Sequence, residues 1–222
     1  MVSTTTAPLT TGTKVALKGI PKIAARRMVQ AWQAPVFHLA LDVVMDAALT
    51  RSKHTPETTV TDVLIEAVAK ALEENPALNA HYEEESITTF TEINIGLAVA
   101  TPAGLVVPVI HNIAGKEQSE IAEMRKGIVN KARDGKLSMP DIEGATFTIS
   151  NLGMLGIDSF DAIVNPPQVA ILAVGSTQKR PVVLDDQIEI KKVATFTLTC
   201  DHRALDGATG AKFLTTLKNH LE

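Results

Sequence analysis

The sequence predicts an α+β fold: one domain built on a β-sheet, not a doubly wound α/β protein. Helical and strand-like patterns are mixed along the chain without a regular strand–helix–strand rhythm. No compositional break divides it after the first residues, so one domain is expected. At 222 residues, 45% hydrophobic and 21% charged, it is long enough to bury a substantial core.

The elements follow in order. Residues 1–13 are rich in Thr, Ser, Ala and Pro and read as a disordered linker remnant, leaving 14–222 as the domain. They lack the basic start and apolar core of a signal peptide. A helix is expected over Pro21–Gln33, with Pro21 at an early helical position and Ile23, Arg27 and Met28 near helical spacing. Val36–Val44 alternates as a strand. Thr61-Asp62 is expected to cap a helix whose Leu64, Ala67, Val68, Ala71 and Leu72 form an apolar stripe ending before Pro76. Ile87–Val109 contains two strand-like runs parted by a turn at Thr101-Pro-Ala-Gly104. Lys116–Arg133 is a charged amphipathic helix closed by Asp134-Gly135. Strands then follow around Phe147, at Val169–Val174 and at Val193–Thr199, before a last helix over Gly207–Leu221.

Composition excludes several functions. A net charge of −4, one Tyr and one Trp give neither a cationic footprint nor a stacking platform for nucleic acid. No run of 18 uncharged apolar residues could span a membrane. The single Cys200 suits a reducing compartment. There is no GxxxxGK[ST] or GxGxxG for phosphates, and no Gly-x-Ser-x-Gly elbow for an acyl-serine hydrolase. The histidines at 38, 54, 81, 111 and 220 lack zinc-ligand spacing and read as structural or exposed; no metal is expected.

The chemistry concentrates in Cys200-Asp201-His202-Arg203-Ala204-Leu205-Asp206-Gly207. His202 stands at a strand–helix junction, four residues before a carboxylate, where an imidazole is able to accept and return a proton near neutral pH. An HxxxD pair alone is equally an ordinary histidine at a strand end, so its company matters. Ser150 ends the run Phe147-Thr-Ile-Ser and precedes Asn151; its hydroxyl reads either as an oxyanion donor or as the polar end of a strand before a turn at Gly153 and Gly156. Asp206 is expected to orient the site, with Asp201 and Arg203 as structural partners.

Six ordered strings resemble the catalytic domain of the dihydrolipoamide acyltransferases, the E2 core of 2-oxoacid dehydrogenase complexes. They are Ala25-Arg-Arg-Met28, Asn94-Ile-Gly-Leu97, Thr101-Pro-Ala-Gly-Leu-Val-Val-Pro108, Gly144-Ala-Thr-Phe-Thr-Ile-Ser-Asn-Leu-Gly153, Asn165-Pro-Pro-Gln-Val-Ala-Ile-Leu-Ala-Val-Gly175 and Asp201-His-Arg-Ala-Leu-Asp-Gly207. The resemblance covers Ile20 to Leu221 and extends, more distantly, to chloramphenicol acetyltransferase. It implies a mixed sheet flanked by helices and a homotrimer with active sites between subunits. It implies acyl transfer between dihydrolipoamide and coenzyme A, with His202 as base, Asp206 its motif partner and Ser150 the oxyanion donor from the neighbouring subunit. Asn151 and Gly175 fall where the family contacts coenzyme A. The strings from Ser150 to Gln168 look most like pyruvate-complex members, so acetyl is the expected group.

The resemblance further implies partners: lipoyl domains carrying a lipoyl group absent from this chain, E1 and E3 through missing regions, and a larger cubic or dodecahedral core beyond the trimer. The linker-like start reads as an excised core. The implied compartment is the cytoplasm if bacterial, otherwise mitochondrial matrix or plastid stroma. Two rival functions are a catalytically silent E2-like scaffold and a coenzyme A-dependent O-acetyltransferase of a small hydroxyl acceptor.

Overall fold

The computed structural model describes residues 12–222. The linker expectation for residues 1–11 lies outside the described residues. Helix α1 (Ile20–Ala31) starts with Pro in its first turn. Strand β1 (Val36–Val44) has the predicted bounds and alternation, with Phe37, Leu39, Leu41 and Val43 turned towards the core. A helix that the sequence did not announce follows, α2 (Asp46–His54), and then α3 (Val60–Glu74). The cap of α3 is Thr59 rather than Thr61: Thr59 and Asp62 form a reciprocal capping box, so Asp62 is the box partner in the first turn.

An unexpected strand, β2 (Ala80–Glu83), comes first, and the region read as two strands breaks into short ones: β3 (Ser86–Thr89), β4 (Ile95–Leu97), β5 (Val99–Thr101), β6 (Gly104–Val106) and β7 (Val109–Ile110). The expected turn at 101–104 joins β5 to β6, where Thr101 Oγ1 donates to the Gly104 carbonyl. Then come α4 (Gln118–Arg133), β8 (Phe147–Asn151), β9 (Ala170–Val174), β10 (Gln178–Leu184), β11 (Gln187–Asp201) and α5 (Gly207–Leu221).

The central sheet runs β1-β11-β9-β8-β4-β7, with β10 paired to the projecting half of β11. The pairs β4/β8 and β8/β9 are parallel and the others antiparallel, which makes the sheet mixed. One face packs against the helices: Phe147, Phe196 and Phe213 are fully buried there with the apolar stripe of α3. Helix α5 approaches β1 so closely that a Cβ on Gly210 would stand 2.8 Å from Leu39. The other face is covered near β8 and β9 by the connection between those strands, whose Phe160, Ala162 and Val164 sit on Ile171 and Ala173. Helix α1, by contrast, is nearly bare: Ile23 and Val29 are 58% and 69% exposed, and Trp32, at its C-terminal cap, is 80% exposed.

Candidate active site

β11 ends at Asp201, and the next residue, His202, turns out of the sheet. Four hydrogen bonds fix this turn. The Asp201 N–H donates to the Val169 carbonyl at 2.9 Å, which holds the strand end against the entry of β9. The Asp201 carbonyl accepts from the N–H groups of Ala204 (3.1 Å) and Leu205 (3.0 Å), closing the turn. The His202 N–H donates to the Pro35 carbonyl at 2.8 Å, anchoring it beside the start of β1. The imidazole is exposed and lies against Phe37, ring centroids 4.7 Å apart and planes tilted by 56°. One edge is therefore packed and the rest is open to a reactant.

Asp206 does not pair with the imidazole by a hydrogen bond. It caps α5, its Oδ1 accepting the Thr209 N–H at 2.8 Å. That bond, helped by the nearby His202, holds its carboxyl below the ordinary carboxylate value. Asp201 and Arg203 are the structural partners anticipated. The buried Asp201 carboxylate accepts from the Arg203 N–H (3.0 Å), its Nε (3.0 Å) and its Nη2 (2.6 Å). This pairing raises Arg203 above the ordinary guanidinium value. The guanidinium also stacks 4.2 Å above the Tyr82 ring, a contact sequence reasoning missed because Tyr82 lies far away in the chain on β2. Arg203 and Tyr82 line a cleft of about 510 Å³ beneath Arg27 and Gln30 of α1 and against Pro166-Pro167.

Ser150 lies near the end of β8, half-buried, and is not beside His202. It pairs with Ala173 of β9, which in turn pairs with Thr197 of β11. From Thr197 the strand runs five residues to His202, roughly 16 Å at about 3.3 Å per residue, with roughly 10 Å more across two strand spacings. Ser150 and His202 of the same chain therefore do not meet at one point. Asn151 makes a local turn, its Oδ1 accepting the Gly153 N–H at 2.9 Å. Gly175 is buried, and a Cβ there would stand 1.9 Å from the Asp158 carbonyl oxygen, so close packing alone demands glycine.

Four of the remaining histidines have individual partners: His38 with Thr199, His81 with the Ala145 carbonyl, His111 with the Pro140 carbonyl and His220 with Glu74. Cys200 is buried and its thiol pushed up to about 12, chiefly by burial, so it is no nucleophile. Among the described residues no helix is long and apolar enough to cross a membrane.

Residues 10–222 match the family model described as 2-oxoacid dehydrogenases acyltransferase (catalytic domain). The chain is 40% identical over 213 residues to the dihydrolipoyllysine-residue acetyltransferase component of the pyruvate dehydrogenase complex of Rickettsia bellii, covering 91% of this chain and 51% of that protein. The chain spans about half the length of the curated relatives it matches first. Its structure resembles the dihydrolipoamide acetyltransferase of Azotobacter vinelandii, with a TM-score of 0.88, 30% identity, and coverage of 95% and 91% of the two chains. That work concerns a serine, a histidine 52 residues later and an asparagine four residues after that in the catalytic mechanism. The same figures hold for the cubic core of a pyruvate dehydrogenase multienzyme complex. Chloramphenicol acetyltransferase, 13% identical with a TM-score of 0.62 over 89% of this chain and 94% of its own, shares the fold.

Proposed function

Given that the chain belongs to the acyltransferase family of the 2-oxoacid dehydrogenases, we propose that it transfers an acetyl group between dihydrolipoamide and coenzyme A. The observation that carries this reading is the matched spacing. Ser150 precedes His202 by 52 residues, as the catalytic serine precedes the histidine in the Azotobacter enzyme, and Asp206 stands where that enzyme has asparagine. Asparagine at that place fits what Asp206 does here, because a cap needs an oxygen acceptor and not a charge.

His202 is the general base. A free thiol titrates near 8.5, about two units above a free imidazole, so proton transfer accompanies attack. The sulfur of coenzyme A bonds to the carbonyl carbon of S-acetyl-dihydrolipoamide as its proton passes to His202. The Ser150 hydroxyl donates to the resulting oxyanion. Collapse breaks the bond to the dihydrolipoamide sulfur, which takes the proton back from the imidazolium. One thioester and one thiol are consumed and one of each is formed, so the reaction runs in either direction.

The site is shared between copies. Ser150 and His202 are too far apart along the sheet of one chain, so the oxyanion donor comes from a neighbour in a homotrimer. The bare apolar side of α1 supports such a neighbour. Asn151 and Gly175 border the coenzyme A path, and the trimer joins a larger core fed by lipoyl domains, with E1 and E3 held through further regions.

The test is acetyl transfer from acetyl-CoA to free dihydrolipoamide by wild type, His202→Ala and Ser150→Ala, with the mass of each in solution. His202→Ala should lose about 10²–10⁴ in rate and Ser150→Ala about 10²–10³, both as trimers. Co-refolding the two inactive variants should restore activity, since mixed trimers contain intact sites. Wild-type activity surviving in His202→Ala, or a fully active monomer, overturns the reading.

A further inference from the structure

We propose that Arg203 is the positioning residue for His202, locking the imidazole in place through a clamp with Asp201 and Tyr82. The proposal rests on the reading of His202 as the base. Among the described residues the imidazole makes no hydrogen bond of its own, so its placement depends on its main chain and on Phe37. That main chain forms the apex of a short loop whose two shoulders are Asp201 and Arg203. The shoulders are joined by the Arg203 N–H, Nε and Nη2 on one carboxylate. The carboxylate is 3% exposed and Arg203 is 38% exposed, so the anion sits inside and its cation closes the loop from outside.

The far side of the guanidinium rests on Tyr82, whose N–H donates to the Pro167 carbonyl at 2.8 Å. The clamp thus ties the catalytic turn to a separate two-stranded ribbon, β2/β3, and to the strap before β9. Arginine is the residue that fits. A planar fork meets both carboxylate oxygens and still offers a face to the aromatic ring, whereas an ammonium is a point charge with no face. Without the Arg203 side chain the buried Asp201 carboxylate lacks its cation and the loop loses its tie to Tyr82, keeping only its main-chain bonds, while Pro35 and Phe37 hold only one edge of His202.

The experiment compares wild type, Arg203→Ala and Arg203→Lys by steady-state acetyl transfer and by carbon–proton NMR of histidine-labelled protein. Phe37 shifts the His202 ring-proton resonance, because the two rings lie 4.7 Å apart. In Arg203→Ala we expect that resonance to move towards the position of a free histidine and kcat to fall about 10–100-fold. KM for both substrates stays unchanged. Lysine recovers only part of the loss, and added guanidinium ion restores part of the activity of Arg203→Ala. A purely structural arginine predicts lowered stability with kcat retained in the folded fraction.

An unmoved His202 resonance overturns the proposal, as does a moved one with wild-type kcat. If Arg203→Ala fails to fold, Arg203→Lys decides by the same two signals. If wild type lacks transferase activity, the reading of His202 as base fails, and the resonance alone then decides whether Arg203 places the ring.

Discussion

Gly175 offers a sharp separation of packing from ligand contact. It follows β9, and its N–H donates to the Thr195 carbonyl at 3.0 Å. An alanine Cβ there would stand 1.9 Å from the Asp158 carbonyl oxygen, 2.7 Å from its carbon and 3.1 Å from the Thr195 oxygen. All three are main-chain atoms, so no side-chain rotation relieves the clash. The strap at Asp158 must lift from the sheet, straining the bonds from the Ser176 N–H to the Ile157 carbonyl (2.7 Å) and between Ser176 Oγ and Asp158 Oδ1 (3.1 Å). Overpacking costs about 1–3 kcal/mol and a weakened hydrogen bond about 1, giving about 2–4 kcal/mol for Gly175→Ala. For a chain of this length that lowers the thermal midpoint on the order of 4–16 °C. Calorimetry at fixed protomer concentration measures the midpoint, and KM for acetyl-CoA is read on the same samples. A midpoint within about 1 °C of wild type, outside the range this overpacking requires, refutes the packing argument. A raised KM with that unmoved midpoint would leave Gly175 as a coenzyme A contact only.

Asp206→Asn should keep the α5 cap, the trimer and most activity, while Asp206→Ala lowers the thermal midpoint. Because the Asp206 carboxyl is depressed in the folded state, its stabilisation is present above the ordinary carboxylate value and lost as pH falls through the depressed one. Acid titrations followed by circular dichroism should therefore show Asp206→Ala losing less stability than wild type below about pH 4. Asp62 is fully buried and forked to Arg125, joining α3 to α4, so Asp62→Ala leaves the half-buried Arg125 cation unpaired, removes the α3 capping box and costs about 2–4 kcal/mol by denaturant unfolding. Stability within error of wild type contradicts that ledger. Cys200 should resist a thiol reagent in the folded protein and react at once in denaturant; rapid native labelling rules out the buried thiol.

The legible parts of the fold were those whose pattern is local. β1 and α5 appear with the bounds their alternation and periodicity suggest. α2 was hidden because its sequence buries only Ala48 and its anchors are distant: Arg51 reaches Glu66 and the His220 carbonyl. The β10/β11 hairpin was hidden because its turn places Asp185 and Asp186, not glycine, at positive φ (49° and 60°). The single strands expected between 87 and 109 fragment because β4 and β7 belong to the main sheet while β5 and β6 pair with each other.

For the site, residue types and spacing drew attention to His202, Asp206 and Ser150 but left each open between a chemical and a structural reading; the family resemblance supplied their expected roles, and the capping role of Asp206 emerged only from the fold. Their placement relative to one another was not contained in the motifs. Strand order is set by non-local hydrogen bonding and face burial, and it inserts β9 between β8 and β11 with a register that carries Ser150 away from His202. It likewise brought Tyr82 under Arg203 and Asp158 against Gly175, contacts between segments that share no pattern in the chain. The sequence by itself determined which groups are candidates for the chemistry; only the packing of the sheet, set by non-local pairing, decided which of them meet within one chain.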